Sequence, residues 1–135
     1  MGNGASDGLV ERQTLGHVLV LTVRVKEVVA AEVIEPLAQA LRRALRESQA
    51  TDVILDLSGV QFLTSGALGM LIHLQSQLQD QDRDMMLAGA TGDAARVLAH
   101  GRLSEIMPIY ESVEAAVRDV RCPPKGGPKP GGPSA

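Results

Sequence analysis

Val53-Ile54-Leu55, held between Asp52 and Asp56, is a compact apolar run of the kind that forms a central β-strand covered on at least one face. A short polar loop follows. Apolar residues then recur at Ala67, Leu71, Leu74 and Leu78, which is helical spacing. A buried strand that feeds a helix through one loop restricts the chain to folds in which the two element types alternate. The flanking sequence extends the pattern. Leu9 to Thr14 suits a short first strand, and His17 to Val25 is mostly apolar and β-branched, so it reads as a second. From about Glu32 to Ser48, Val33, Leu37, Leu41, Ala44 and Leu45 keep helical spacing. Pro36 is expected in the first turn, where its missing N–H costs little. Arg42, Arg43 and Arg46 fall mostly on the other side, as a solvated helix face.

Beyond the Ala67–Leu78 stripe, Met85 to Ala88 suits a further strand. Thr91 is placed to cap a short helix over Asp93 to His100, with Gly101 stopping it as a C′ residue. Ile106 to Tyr110 reads as a brief edge strand. Ser112 then caps a last helix that turns Val113, Ala116, Val117 and Val120 inward. Two strands followed by helix–strand repeats predict one α/β domain over residues 9–121. The expected architecture is a mixed sheet of four to five strands with about four helices packed mainly on one face, because right-handed crossovers from consecutive units share a face. Residues 1–8 are expected to be a flexible arm. Residues 122–135, rich in Pro and Gly, are expected to be a disordered tail, since such composition cannot bury apolar surface.

Composition narrows the function classes. Phe62 and Tyr110 are the only aromatic residues, so the core must be aliphatic and the base-stacking modes of single-stranded nucleic-acid binding lack their rings. A net charge of −3, without a basic run beyond Arg42-Arg43, gives no phosphate-backbone footprint. The single cysteine, Cys122, excludes an internal disulfide, and no Cys/His cluster has zinc spacing, so neither metal nor cofactor is expected. The chain has no secretory leader pattern and no apolar run near the ~18 residues of a membrane span, so the expectation is a soluble cytoplasmic protein. Gly2 and Ser6 match an N-myristoylation pattern, which a short flexible leader also produces by chance.

The residues from Asp56 to Gly69, Asp-Leu-Ser-Gly-Val-Gln-Phe-Leu-Thr-Ser-Gly-Ala-Leu-Gly, resemble the signature of the STAS domain family of anti-sigma-factor antagonists. The strand–helix order from about Leu9 to Val120 is also similar. The resemblance implies a STAS-like fold and a binding switch, not an enzyme. By position, Ser65 would be phosphorylated by an anti-sigma factor serine kinase, which phosphorylation releases. A serine phosphatase would restore binding, and capture of the kinase would free a sigma factor for transcription in a stress response. Thr64, standing where many members carry an acidic residue, is the second candidate acceptor. Gly66-Ala67 replaces a small residue followed by Gly, and Val23-Arg24-Val25-Lys26 lacks the aspartate of the frequent Gly-x-Leu-Asp step.

The same residues carry a reading of their own. Helical spacing places Gly69, Ile72, His73 and Ser76 beside Ser65, away from the apolar stripe. Ser65 and Gly69 leave little bulk, and Ile72 offers apolar contact. The expected partner surface comprises Ser58, Gly59, Thr64, Ser65, Gly69, Ile72 and His73. A phosphate on Ser65 adds nearly two negative charges at a helix N-terminus, which the helix dipole favours by ~0.3–1 kcal/mol. At a fitted interface the same charge can cost several kcal/mol.

Rival readings stay open at this point. Ser65 can be a plain N-cap in a STAS scaffold, or in an accessory subunit of a stress-signalling or membrane lipid-transport complex that is never phosphorylated. A catalytic Ser65 needs a base, yet His17, His73 and His100 lie in no triad setting, and His73 is roughly 12 Å away by helical rise. Gly66-x-x-Gly69 lacks a P-loop ending, and Gly89-Ala90-Thr91-Gly92 is a turn into a helix. Asp56 reads as a loop-organising acceptor.

Overall fold

The computed structural model describes residues 8–121. The expected arm up to residue 7, the Gly2/Ser6 pattern, Cys122 and the Pro/Gly tail lie outside the described residues. Chain order is β1 (Val10–Leu15), β2 (Val18–Val23), β3 (Glu27–Val28), α1 (Ala31–Arg46), β4 (Asp52–Asp56), β5 (Phe62–Leu63), α2 (Ser65–Gln79), β6 (Asp84–Ala88), α3 (Gly92–His100), β7 (Ile109–Tyr110) and α4 (Val113–Arg121). A 3₁₀ turn, Leu103–Glu105, follows α3.

Five strands form one mixed sheet in the order β1-β2-β4-β6-β7. β1 and β2 are antiparallel, and every later neighbour is parallel. The alternation along each strand explains the two cores. Leu19, Leu21, Val53, Leu55, Met85 and Leu87 face one way, where Leu37 and Leu41 of α1, Leu71 and Leu74 of α2 and Leu98 of α3 cover them. Val18, Val20, Ile54, Met86 and Ala88 face the other way, under Ala116 of α4. Helices α1, α2 and α3 thus share a face, as right-handed crossovers that always step to the same side require. Val53 and Ile54 are both fully buried, on opposite faces. That accounts for a run of consecutive apolar residues where one-sided burial would leave alternation.

Several boundaries depart from the sequence expectation. The second strand stops at Val23 instead of Val25. Pro36 lies in the second turn of α1, because the helix starts at Ala31. The acceptor freed by its missing N–H is the carbonyl of Glu32; both residues are exposed, so water can supply the partner. Thr91 occupies the N-cap position of α3 in extended conformation but donates or accepts no side-chain cap bond. Gly101 ends α3 with φ −82°, and the left-handed residue is Arg102 at φ 57°. The edge strand is only Ile109–Tyr110, since Pro108 has no N–H to continue a ladder. Ser112 does cap α4: its Oγ accepts from the Ala115 N–H at 3.1 Å.

Arg83 joins the ends of two elements. It donates to the carbonyls of Ala50, Leu45 and Ser48 at 2.8, 3.2 and 3.3 Å, closing the exit of α1 against the start of β6. Burial lowers its guanidinium pKa.

Candidate functional site

The loop between β4 and α2 is built around Asp56. Its Oδ1 accepts the Ser58 N–H at 3.0 Å, and its Oδ2 accepts the Thr22 hydroxyl at 3.4 Å. The carboxylate therefore organises the chain as it leaves β4. The Leu57 N–H donates to the Ala88 carbonyl at 2.8 Å and the Val60 N–H to the Leu57 carbonyl at 3.0 Å. Gly89, at φ +83°, closes the loop from the other side: a Cβ there would stand 2.9 Å from Asp56 Oδ1 and 3.1 Å from Ser58 Cβ.

A second, two-stranded sheet then carries the chain to the helix. Glu27 pairs with Phe62 and Val28 with Leu63, in parallel. The Lys26 carbonyl accepts the N–H groups of Gln61 and Phe62 at 2.7 and 3.1 Å. Sequence reasoning missed both short strands, because two residues are too few to show alternation. The pairing brings Val29 and Phe62, 43% and 42% exposed, into the strand-to-helix corner that precedes Ser65. Neither was named as a site residue; an aromatic ring left outside an aliphatic core was the available signal.

Thr64, not Ser65, is the N-cap residue of α2, with φ −115° and ψ 174° and no side-chain cap bond. Ser65 is the first helical residue and is exposed. Its hydroxyl is thus not used to cap the helix, and the plain N-cap reading of Ser65 is corrected by one position. Ala67, Leu71, Leu74 and Leu78 are buried, with Leu68 and Gln75 beside them. Gly69 and His73 are exposed and Ile72 is half-buried. A Cβ on Gly69 would meet nothing within 4 Å. Ser58 and Gly59 are exposed in the loop, while Thr64 is half-buried.

Ser65, Gly69, Ile72 and His73 therefore share the outer side of the first two turns of α2. The loop residues Ser58 and Gly59 stand at the same carboxyl end of the sheet, where β4 ends. None of the three histidines forms a hydrogen bond with a serine among the described residues. Among the described residues no group of three His, Cys, Asp or Glu is placed to hold a metal ion. No helix of the described residues is long and apolar enough to cross a membrane. What this corner offers chemically is an exposed hydroxyl and nearby backbone N–H groups, flanked by small residues and a little apolar surface.

The family model for the STAS domain matches residues 10–116. No curated protein sequence matches the chain. Among solved structures, an anti-sigma factor antagonist from Mycobacterium paratuberculosis is 21% identical, with a TM-score of 0.70 over 84% of this chain and 93% of its own. The anti-sigma factor antagonist SpoIIAA in its unphosphorylated form is 15% identical, with a TM-score of 0.67 over 83% of this chain and 96% of its own. The murine solute carrier 26 family member A9 anion transporter contains a similar unit: 20% identity and a TM-score of 0.69 over 81% of this chain, but only 18% of the transporter.

Proposed function

Because the chain belongs to the STAS domain family, a family of binding and regulatory modules, we propose that it is an anti-sigma-factor antagonist switched by phosphorylation of Ser65. The observation that carries this reading is the placement of Ser65: exposed, first in α2, with no capping duty. In its unmodified form the protein holds an anti-sigma factor serine kinase through Ser58, Gly59, Thr64, Ser65, Gly69, Ile72 and His73, which frees a sigma factor. The kinase brings ATP and metal, so the chain itself works without a cofactor and without catalysis, in the cytoplasm. A serine phosphatase reverses the mark. SpoIIAA, of the same fold, is known in a phosphorylated form in Bacillus, which supports the reading by analogy.

The physical case is a difference between two environments. Phosphate on Ser65 meets the positive end of α2, so the fold keeps its stability. At a fitted interface the same charge must be desolvated. A loss of only ~2.8 kcal/mol there is a hundredfold in affinity. Incubation with the partner kinase and ATP, followed by phosphopeptide mapping, should find the mark on Ser65, or on Thr64 as the second acceptor. Modification at neither residue rejects the switch. Ser65→Ala should bind constitutively and Ser65→Asp at least about tenfold more weakly, both with unchanged circular dichroism.

A second reading has its own support in the similar unit within an anion transporter. There the module would be a non-phosphorylated scaffold, or an accessory subunit of a stress-signalling or membrane lipid-transport complex. Equal binding by Ser65→Ala and Ser65→Asp would favour it.

A further inference from the structure

The end of the sheet remote from Ser65 is open. β7 pairs with β6 only at Leu87 and Ala88. Pro108 comes next along the register and offers no N–H. The N–H groups of Leu87 and Gly89 point outward, to the carbonyls of Pro108 and Tyr110 at 2.9 and 3.2 Å. The two-residue alternation of a strand turns the N–H and C=O of Met85 outward as well, where no strand lies opposite. Met85 lines a cavity of about 490 Å³ at this end, a volume within the ordinary range for small-molecule sites.

Its walls come from opposite faces of the sheet. Gln75 and Gln79, in the last turns of α2, form one; Tyr110, Asp119 and Val120 form the other. Three carboxylates line the space, Asp52, Asp84 and Asp119, and no lysine or arginine among the described residues does. Asp52 and Asp84 are register partners on adjacent strands. The His17 imidazole lies 3.3 Å from Asp52, and the Tyr110 hydroxyl donates to Asp119 at 2.8 Å. Gln75 is only 6% exposed. Its Nε2 donates to the Ile106 carbonyl at 3.4 Å, while no described group donates to its Oε1. Gln75 thus brings to the cavity lining an amide oxygen that no described group donates to and that is not itself sealed from solvent.

The acidic groups are too dispersed for a metal ion, since no three of them are placed to share one. Their spread suits a longer cation with several N–H donors. Met86, Ile106, Pro108 and Val120 supply apolar surface for a carbon chain. We propose that this cavity binds a short aliphatic amine, its ammonium hydrogen-bonded among the carboxylates and the Gln75 amide oxygen, its chain against the apolar lining. Ammonium offers three donors, and bonds from it to carboxylates are charge-assisted. The proposal is independent of the switch at Ser65, because no residue of the Ser58–His73 surface lines the cavity.

Titration of putrescine into the full chain, followed by amide NMR, tests it. Saturable shifts are expected at Thr51, Asp84, Met85 and Tyr110, with Gly66, Gly69 and His73 unmoved, and butanediol at the same concentration should shift none of them. Asp84→Asn and Gln75→Leu should each weaken binding about tenfold or more with circular dichroism unchanged. Shifts that never saturate, that spread over exposed carboxylates such as Glu32 and Glu114, or that butanediol reproduces would overturn the proposal. So would undiminished binding by both folded variants.

Discussion

At Gly89 the backbone takes φ +83°, and an added Cβ would stand 2.9 Å from Asp56 Oδ1 and 3.3 Å from the Ser58 nitrogen that donates to it. Real Cβ atoms do not approach oxygen that closely, and a left-handed φ is itself costly for any residue but glycine. Gly89→Ala should therefore cost ~1–3 kcal/mol in denaturant unfolding. The amide signals of Ser58 and Gly59 should shift with it, because the added methyl displaces the bond that fixes the loop. Arg83 poses the opposite problem, a side chain whose removal leaves acceptors behind. Its three bonds to the Leu45, Ser48 and Ala50 carbonyls are made by a charged donor. Arg83→Met should destabilise by ~2–3 kcal/mol. Lysine at this position should recover only part of that loss, since one ammonium cannot reproduce the guanidinium fork.

Helix α2 divides its work between two sides. Leu71 and Leu74 are 2% and 1% exposed, and Leu71→Ala should cost ~2–5 kcal/mol by leaving a cavity. Gly69 lies on the other side in open space. Gly69→Ala should raise stability by ~0.5–1 kcal/mol through helix propensity alone. Gly69→Arg should leave the fold intact, yet weaken binding of the proposed kinase partner about tenfold or more, as surface plasmon resonance can measure. This division was legible in the sequence because fifteen residues of helix repeat their spacing several times. The two-residue strands β3 and β5 were not legible, since a period of two needs more than one repeat. Nor was the offset between Thr64 and Ser65 at the cap: both are hydroxyl residues, and only backbone conformation tells which one stands outside the helix. The aliphatic core was implied by the near absence of aromatic residues, and Phe62 proves to be exposed. The cavity at the far end went unseen in sequence because its carboxylates come from three separate elements and its opening is created by Pro108.

For the molecule as a whole, the central strands β2, β4 and β6 are buried on both faces, and stability should respond to pH from the α4 side. Tyr110 is held protonated well beyond the ordinary phenol range, first by burial, then by its bond to Asp119 and the charges of Asp119 and Asp52. The folded state binds that proton more tightly than the unfolded chain does. The contribution is thus complete below a pH of about 10 and declines as the pH climbs beyond it. Thermal melts from neutral to strongly alkaline pH should show this decline, and Tyr110→Phe should flatten it. The order β1-β2-β4-β6-β7 has a further consequence. Each main-sheet strand is laid down beside one already made, and none has to be inserted later between two earlier neighbours. A chain emerging from the ribosome amino end first can therefore extend its sheet at a single advancing edge. Helix α4, made after every described strand, remains to cover the second face, so until it emerges that face is what a chaperone would meet.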